Sequence, residues 1–366
     1  MSFRDNPPIV LLLGSLMLTS CSLGACGLAW PAKLSDQEFW RIVEEFSEPD
    51  GEFRSSNAIR TDNLISNETA FEPALGLLQQ IKRPGAYLGV GPEQNFTYIA
   101  ALKPTTAFIV DIRRGNLLLH LLYKALVEMS ADRVEFLSRL FARLPSARLR
   151  RNAAPRALFD AFRTVPYSPS LADETLRAVV DRLEHAHRFT LTTDDRQRIA
   201  SAYEAFGRDG PDIRWDSSGD PWIPTYAEVM SQTDQRGHSH SYLASDETFR
   251  TLQAYEMSNR IVPVVGDFAG DKALRAIGKY LREHDDAVAA FYTSNVESYL
   301  RGDASRRFAA NVSELPITPR SALVRTLFNV VAFTNGRPQY QSSMAVLSMT
   351  DFVRRSGRRA LVPPVR

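Results

Sequence analysis

The stretch Pro84 to Asp111 constrains this chain more than any other, because its residues come in the order strand, glycine turn, helix, strand, acid. Ala86 to Gly89 read as a short apolar strand. Gly89 and Gly91 allow a tight turn and a close approach of backbone to a ligand, and Phe96 to Leu102 supply the apolar face of a following helix. A second strand, Ala107 to Asp111, ends in a carboxylate 22 residues after Gly89. An α/β sheet presents an acid placed there to ribose hydroxyls beside the glycine turn, so the expected partner is a small-molecule ligand of nucleotide type.

The sheet pattern returns far downstream. Ile261 to Val265 form an apolar strand that runs into Gly266 and Asp267, and a helix is expected from about Lys272 to His284. Ala287 to Phe291 make the next strand. It is followed by Tyr292, Thr293, Ser294, Asn295, Val296 and Glu297, polar groups at a strand's carboxyl end, where open α/β sheets bind ligands. Ser321 to Phe333 and Met344 to Met349 are candidate last strands. Upstream, Phe39, Ile42, Val43 and Phe46 recur at helical spacing behind Ser35 as N-cap, and Arg54 to Glu68 is a polar loop close enough to the glycine turn to cover it. Asn63, Asn67 and Glu68 are its ligand-competent side chains.

Between the two sheet halves the chain reads as helical pieces broken by Pro, Gly and Ser, with Ala172 to His187 and Asp194 to Phe206 amphipathic, the latter opened by Thr193. The expected organisation is therefore 36–129 and 260–366 as the halves of one α/β domain, with 130–259 a helical insertion or cap.

The first residues have a different character. Ile9 to Leu18 is an apolar run of ten, the length of a signal-peptide core and too short to span a bilayer. Leu18-Thr19-Ser20-Cys21 resembles the lipobox of bacterial lipoproteins, which implies a signal peptide over 1–20, lipidation of Cys21, a tether over 21–35 and attachment of an exported protein to a membrane. The alternative is a cytoplasmic protein with a misassigned start. Cys21 and Cys26 are the only cysteines, so the body has neither a disulfide framework nor thiolate chemistry. The 44 basic and 42 acidic residues give a net charge of +2, and no basic block suggests nucleic acid. Nothing in the pattern speaks to oligomeric state.

Gly89-x-Gly91, Asp111, Gly266-Asp267 and Tyr292 to Asn295, at the ends of four successive strands, resemble the class I S-adenosylmethionine-dependent methyltransferases. That resemblance implies a Rossmann-like, mostly parallel sheet and S-adenosylmethionine as cofactor. It further implies that Gly89, Gly91, Glu93 and Asn95 lie in the loop near the cofactor's amino acid part, Asp111 at its ribose and Asp267 at its adenine. The chain departs from the family pattern in having Tyr87 where an acid is usual and Glu93 at the third glycine. The words G-V-G-P-E-Q-N-F-T-Y-I and F-I-V-D-I-R-R also look like an uncharacterised bacterial family, which implies no activity.

A dinucleotide fingerprint would need a glycine at Gln94, and neither a P-loop nor a Gly-x-Ser-x-Gly elbow is present. His238, His240 and Asp234 in a Gly/Ser loop read as solvated, as do His185 and His187 on a polar face, while His120 amid leucines reads as an interior histidine; no metal is expected. For methyl transfer, Tyr292, Asn295 and Glu297 are the residues placed to position an acceptor or take its proton. An S-adenosylmethionine enzyme and an exported protein pull in opposite directions. The readings that survive are a methyltransferase-like protein of unspecified acceptor, and an exported, membrane-tethered binding or structural protein that keeps the same fold.

Overall fold

The computed structural model describes residues 33–53, 63–80, 85–145, 149–150, 152–215, 223–334 and 337–360; the leader, Cys21 and most of the tether lie outside them. Six strands, β1 (Ala86–Gly89), β2 (Ala107–Asp111), β3 (Ile261–Val265), β4 (Val288–Ser294), β5 (Ile317–Thr334) and β6 (Arg337–Ser348), form one sheet in the order β3-β2-β1-β4-β5-β6. The first five run parallel, and β6 returns antiparallel along β5. This is the Rossmann-like, methyltransferase-type sheet that the sequence led us to expect. The strand order reverses beside β1, so the crevice between β1 and β4 is the switch point at which such sheets bind ligands.

Burial explains the strand composition. All residues of β1, β2 and β3 are buried, which only continuous apolar runs such as Ala-Phe-Ile-Val allow. The helix Arg114–Glu128 packs against this sheet with twelve buried residues, Lys124 and His120 among them. Between that helix and β3 the described chain carries helices and no strand of the sheet, apart from a single bridge between Arg214 and Thr225. Buried Arg133 ties these helices together, donating to the carbonyls of Leu243 at 2.6 Å and Ala153 at 2.7 Å and pairing with Asp246. Arg114 fastens them to the sheet through a two-pronged bond to Asp195 at 2.6 and 2.7 Å.

Several boundaries differ from the sequence expectation. The helix Thr193–Asp209 is capped by Thr192, not Thr193, because Thr192 and Asp195 complete a reciprocal capping box. Strand β4 continues three residues past Phe291, held by pairing with β5, so Tyr292 and Thr293 belong to the sheet and not to the loop after it. His187 is not simply exposed. Its ring lies between Asp36 (2.9 Å) and Glu128 (2.7 Å), next to a salt bridge of 2.8 Å between Glu128 and buried Lys124. Among the described residues no helix is long and apolar enough to cross a membrane.

This cluster generates the first prediction. Burial raises the Glu128 pKa, but the His187 bond and the Lys124 charge outweigh it and hold the carboxyl at about 2. Its stabilising contribution is therefore complete above the ordinary value of 4.5 and fades as the pH falls from there toward 2. Glu128→Gln, which strips Lys124 of a buried counter-charge, should lower stability at pH 7 by about 3–5 kcal/mol. Urea denaturation of both proteins at pH 7 and pH 3 should show the gap narrowing in acid.

Candidate functional site

The carboxyl ends of β1, β2, β3 and β4 bring Gly89, Asp111, Gly266 and Ser294 to one edge of the sheet. At β1 the chain turns through Gly91, whose φ of +76° is costly for any side chain, and enters the helix Gln94–Leu102. Gly89 is required for a different reason. A Cβ there would stand 1.9 Å from Asn95 Oδ1 and within 2.9 Å of the Tyr87 ring and hydroxyl. Asn95 fills that space because its amide closes the turn on itself: Nδ2 donates to the carbonyls of Val90, Gly91 and Pro92 at 2.7 to 3.1 Å, while Oδ1 accepts from the Tyr87 hydroxyl at 2.8 Å. Tyr87, which stands where an acid is usual, thus serves as a strut for the loop.

The remaining expected cofactor groups are also engaged within the chain. Glu93 is fully buried, and both its oxygens accept from the Ser66 amide at 3.1 Å. Asp111 accepts from its own Arg113, at 3.0 Å from the backbone amide and 3.1 Å from Nε. The loop after β3 presents the amides of Asp267, Lys272 and Ala273 to an anion, and the carboxylate of Glu48 takes them at 2.9 to 3.0 Å. Asp267 itself accepts from the Ala269 amide.

Of the acceptor-side candidates, Tyr292 is buried inside β4, its ring 5.0 Å from that of Tyr98. Glu297 is paired with Arg325 of β5, which neutralises it. Asn295 is half-buried and accepts from Ser294 Oγ at 3.4 Å. The structure therefore brings Ser294, Asn295 and Glu297 together at the edge and withdraws Tyr292 into the core. His120, Nε2 to the Gly91 carbonyl at 2.9 Å, is interior as expected; burial lowers its pKa to about 4, so the neutral ring donates and Nδ1 keeps its lone pair. That nitrogen finds no partner among the described residues, nor does either amide atom of Asn116, 1% exposed and one turn earlier on the same helix. His238 and His240 lie near Asp234, yet no group of three or more His, Cys, Asp or Glu among the described residues is arranged to hold a metal.

Two polar groups at this edge, Ser294 and Glu68, were not singled out together in the sequence. Ser294 ends β4 with φ +49°, a left-handed conformation that costs a serine about 1–2 kcal/mol and gathers at functional edges. Its hydroxyl donates to Glu68 Oε1, and Thr326 Oγ1 donates to Glu68 Oε2 at 2.6 Å. Glu68 had been expected only as one of three loop residues. Here it is 1% exposed, without an ion pair among the described residues, and burial pushes its pKa up against the hydroxyl donors that lower it.

A glycine turn, an acid after the second strand and polar strand ends around a switch point define an α/β protein of Rossmann-like type. The chain belongs to the family of the domain of unknown function DUF7790, whose model matches residues 64–357. No curated protein matches it. Among solved structures it is similar to that of the glycopeptide N-methyltransferase MtfA complexed with sinefungin, at 10% identity over 85% of this chain and 88% of that one, with a TM-score of 0.24. A likeness of that size carries no argument about ligand or reaction.

Glu93 supplies a signed test of this geometry. Burial, reinforced by the Glu68 charge, raises its pKa to about 8, against the Ser66 amide that lowers it. The folded state is thus favoured by a neutral Glu93 below 4.5 and loses that advantage as the pH climbs toward 8. Glu93→Gln, which keeps an acceptor for Ser66, should raise the unfolding free energy from urea denaturation at pH 8.5 by an amount on the order of 1–3 kcal/mol and leave it nearly unchanged at pH 4.

Proposed function

We propose that this protein is methyltransferase-like and binds S-adenosylmethionine along the carboxyl edge of β1, β2 and β3, with Asp111 toward the ribose, Asp267 toward the adenine and the turn of Gly89, Gly91, Glu93 and Asn95 toward the amino acid part. The observation that carries this reading is that His120 Nδ1, on the ring bonded to the Gly91 carbonyl, and both amide atoms of Asn116 one turn earlier are buried without a partner among the described residues. Three buried polar atoms without partners among the described residues cost free energy, and a polar ligand lying against the turn would satisfy them. The switch point and the left-handed Gly91 support the same placement. Asn295 and Glu297, beside Ser294, are the acceptor-side groups, and the acceptor is left open.

Titration calorimetry of the purified full chain tests this. S-adenosylmethionine and S-adenosylhomocysteine should bind with release of Arg113 from Asp111. Asp111→Ala should weaken both by about 10- to 100-fold, since a hydrogen bond to a charged group contributes roughly 1.5–3 kcal/mol. Circular dichroism of the variant controls for folding. Absence of binding at millimolar ligand would sink the proposal.

A second reading rests on the prior engagement of Asp111 by Arg113, of the turn by Asn95 and of the β3 loop by Glu48. On it, the chain is an exported binding or structural protein, lipid-anchored through Cys21, that retains the fold with its crevice filled from within. Intact-mass measurement on membrane-fraction protein separates the two. The second reading expects a mature chain that begins at an acylated Cys21, and Cys21→Ala should abolish that species.

A further inference from the structure

Charge is divided unevenly along this chain. From Arg301 to the end there are eleven arginines and no lysine against three acids, Asp303, Glu314 and Asp351, a net charge of +8. The whole chain carries +2, so the preceding 300 residues carry −6. The fold lays the two helices of the basic segment over one face of the sheet. In the helix Asp303–Glu314 the ring of Phe308 packs 6.3 Å from Phe291 of β4 and 5.7 Å from Phe352 of the helix Met349–Ala360. Arg306, Arg307, Arg354 and Arg355, close in sequence to those packed rings, are exposed, as are Arg301 and Arg320. Asp303 pairs with Arg306 and Asp351 with Arg354, but three acids cannot offset eleven guanidinium groups.

Apolar side chains are exposed on the same face. Leu323 of β5 stands in register with Phe291 of β4 and with Leu347 of β6, and alternation along β5 puts Leu327 on the side of Leu323. Leu347 is 38% and Leu327 49% exposed. Arginines beside leucines suit the boundary between acidic headgroups and acyl chains, because a guanidinium fork takes phosphate oxygens two at a time while leucine leaves water for hydrocarbon.

We propose that the helices Asp303–Glu314 and Met349–Ala360, with the exposed leucines of the β5–β6 hairpin, dock the protein on an anionic lipid surface. The headgroup phosphates are the partner of the arginines, and the negative charge of the first 300 residues turns the rest of the molecule away from the bilayer. Nucleic acid offers similar phosphates but no apolar layer for Leu327 and Leu347, so the face fits a membrane better. This docking requires neither the cofactor of the first reading nor the lipid anchor of the second.

Flotation of the purified full chain with vesicles tests the face. Phosphatidylcholine vesicles report what the apolar run Ile9 to Leu18 does by itself, and vesicles containing phosphatidylglycerol add the charge. Each arginine near an anionic surface strengthens binding roughly fivefold, so at low salt the chain should prefer the anionic vesicles by about a hundredfold or more and lose that preference at high salt. Changing Arg306, Arg307, Arg354 and Arg355 together to Gln should cut anionic binding by about a hundredfold. The same loss of charge at Arg156, Arg177, Arg208 and Arg250, exposed on the inserted helices, should leave it nearly unchanged. Leu327→Ser combined with Leu347→Ser should weaken binding by about tenfold and keep its salt dependence. Equal binding of the unmutated chain to both kinds of vesicle would overturn the proposal. Equal losses in the two four-arginine variants would do the same, since overall charge and not this face would then be responsible. If a DNA duplex strips the chain from the vesicles and the leucine changes have no effect, the partner is a nucleic acid and the proposal falls. Should the first arginine variant not fold by circular dichroism, the salt dependence of the unmutated chain and the leucine pair decide.

Discussion

The amide of Asn95 is the interaction on which the carboxyl edge of the sheet depends. One side chain gathers three carbonyls from the turn at Val90, Gly91 and Pro92 and receives the Tyr87 hydroxyl from the strand before it. A turn that reverses from strand to helix in four residues leaves carbonyls pointing inward with no helical partner. A buried amide with two donors and one acceptor satisfies them without water. The same amide explains why position 89 must lack a side chain, and it fixes the helix whose first turn holds Glu93. Where this turn would otherwise offer its backbone to a ligand, it is braced from inside by the chain.

That bracing recurs along the edge. Arg113 covers Asp111, Glu48 covers the amides after β3, and Glu68 covers the hydroxyls of Ser294 and Thr326. Each pairing satisfies a polar group at the sheet edge from within the chain. They differ in how completely they are balanced. Asp111 has a guanidinium and Glu48 has three amides, but among the described residues Glu68 has only neutral hydroxyls, and Asn116 and His120 have atoms with no partner. His120 lies beside the turn after β1 and Glu68 beside the end of β4, where the strand order reverses.

The opposite end of the helix Arg114–Glu128 is built the other way. Lys124, Glu128, His187 and Asp36 neutralise one another, and Asn259 bonds Asp36 at 2.7 Å, joining the first helix to the turn before β3. Charge is paired there, although Glu256 Oε1 and Asn259 Oδ1, buried at the same end, have no hydrogen-bond partner among the described residues. A single helix thus carries Asn116 and His120 near its start and the Lys124–Glu128 ion pair near its end.

The sequence alone determined the elements whose signals are local. The glycine turn, the apolar runs of β1, β2 and β3, and the acid at the end of β2 follow from residue order, because strand burial and turn chemistry act over a few neighbours. So did the interior setting of His120. Only the tertiary structure decided what those groups touch. Ser294 and Glu68 are 226 residues apart, Thr326 and Glu68 258, and Glu48 and Asp267 219, and no periodicity encodes a contact across such distances. Tyr292 looked like a loop residue because strand ends are set by pairing with a neighbouring strand, here β5, which the single chain does not announce. Asp111 reads the same in sequence whether free for a ribose or held by Arg113. The difference lies in one side chain folding back over two residues, a choice made by burial of the pair at the sheet edge.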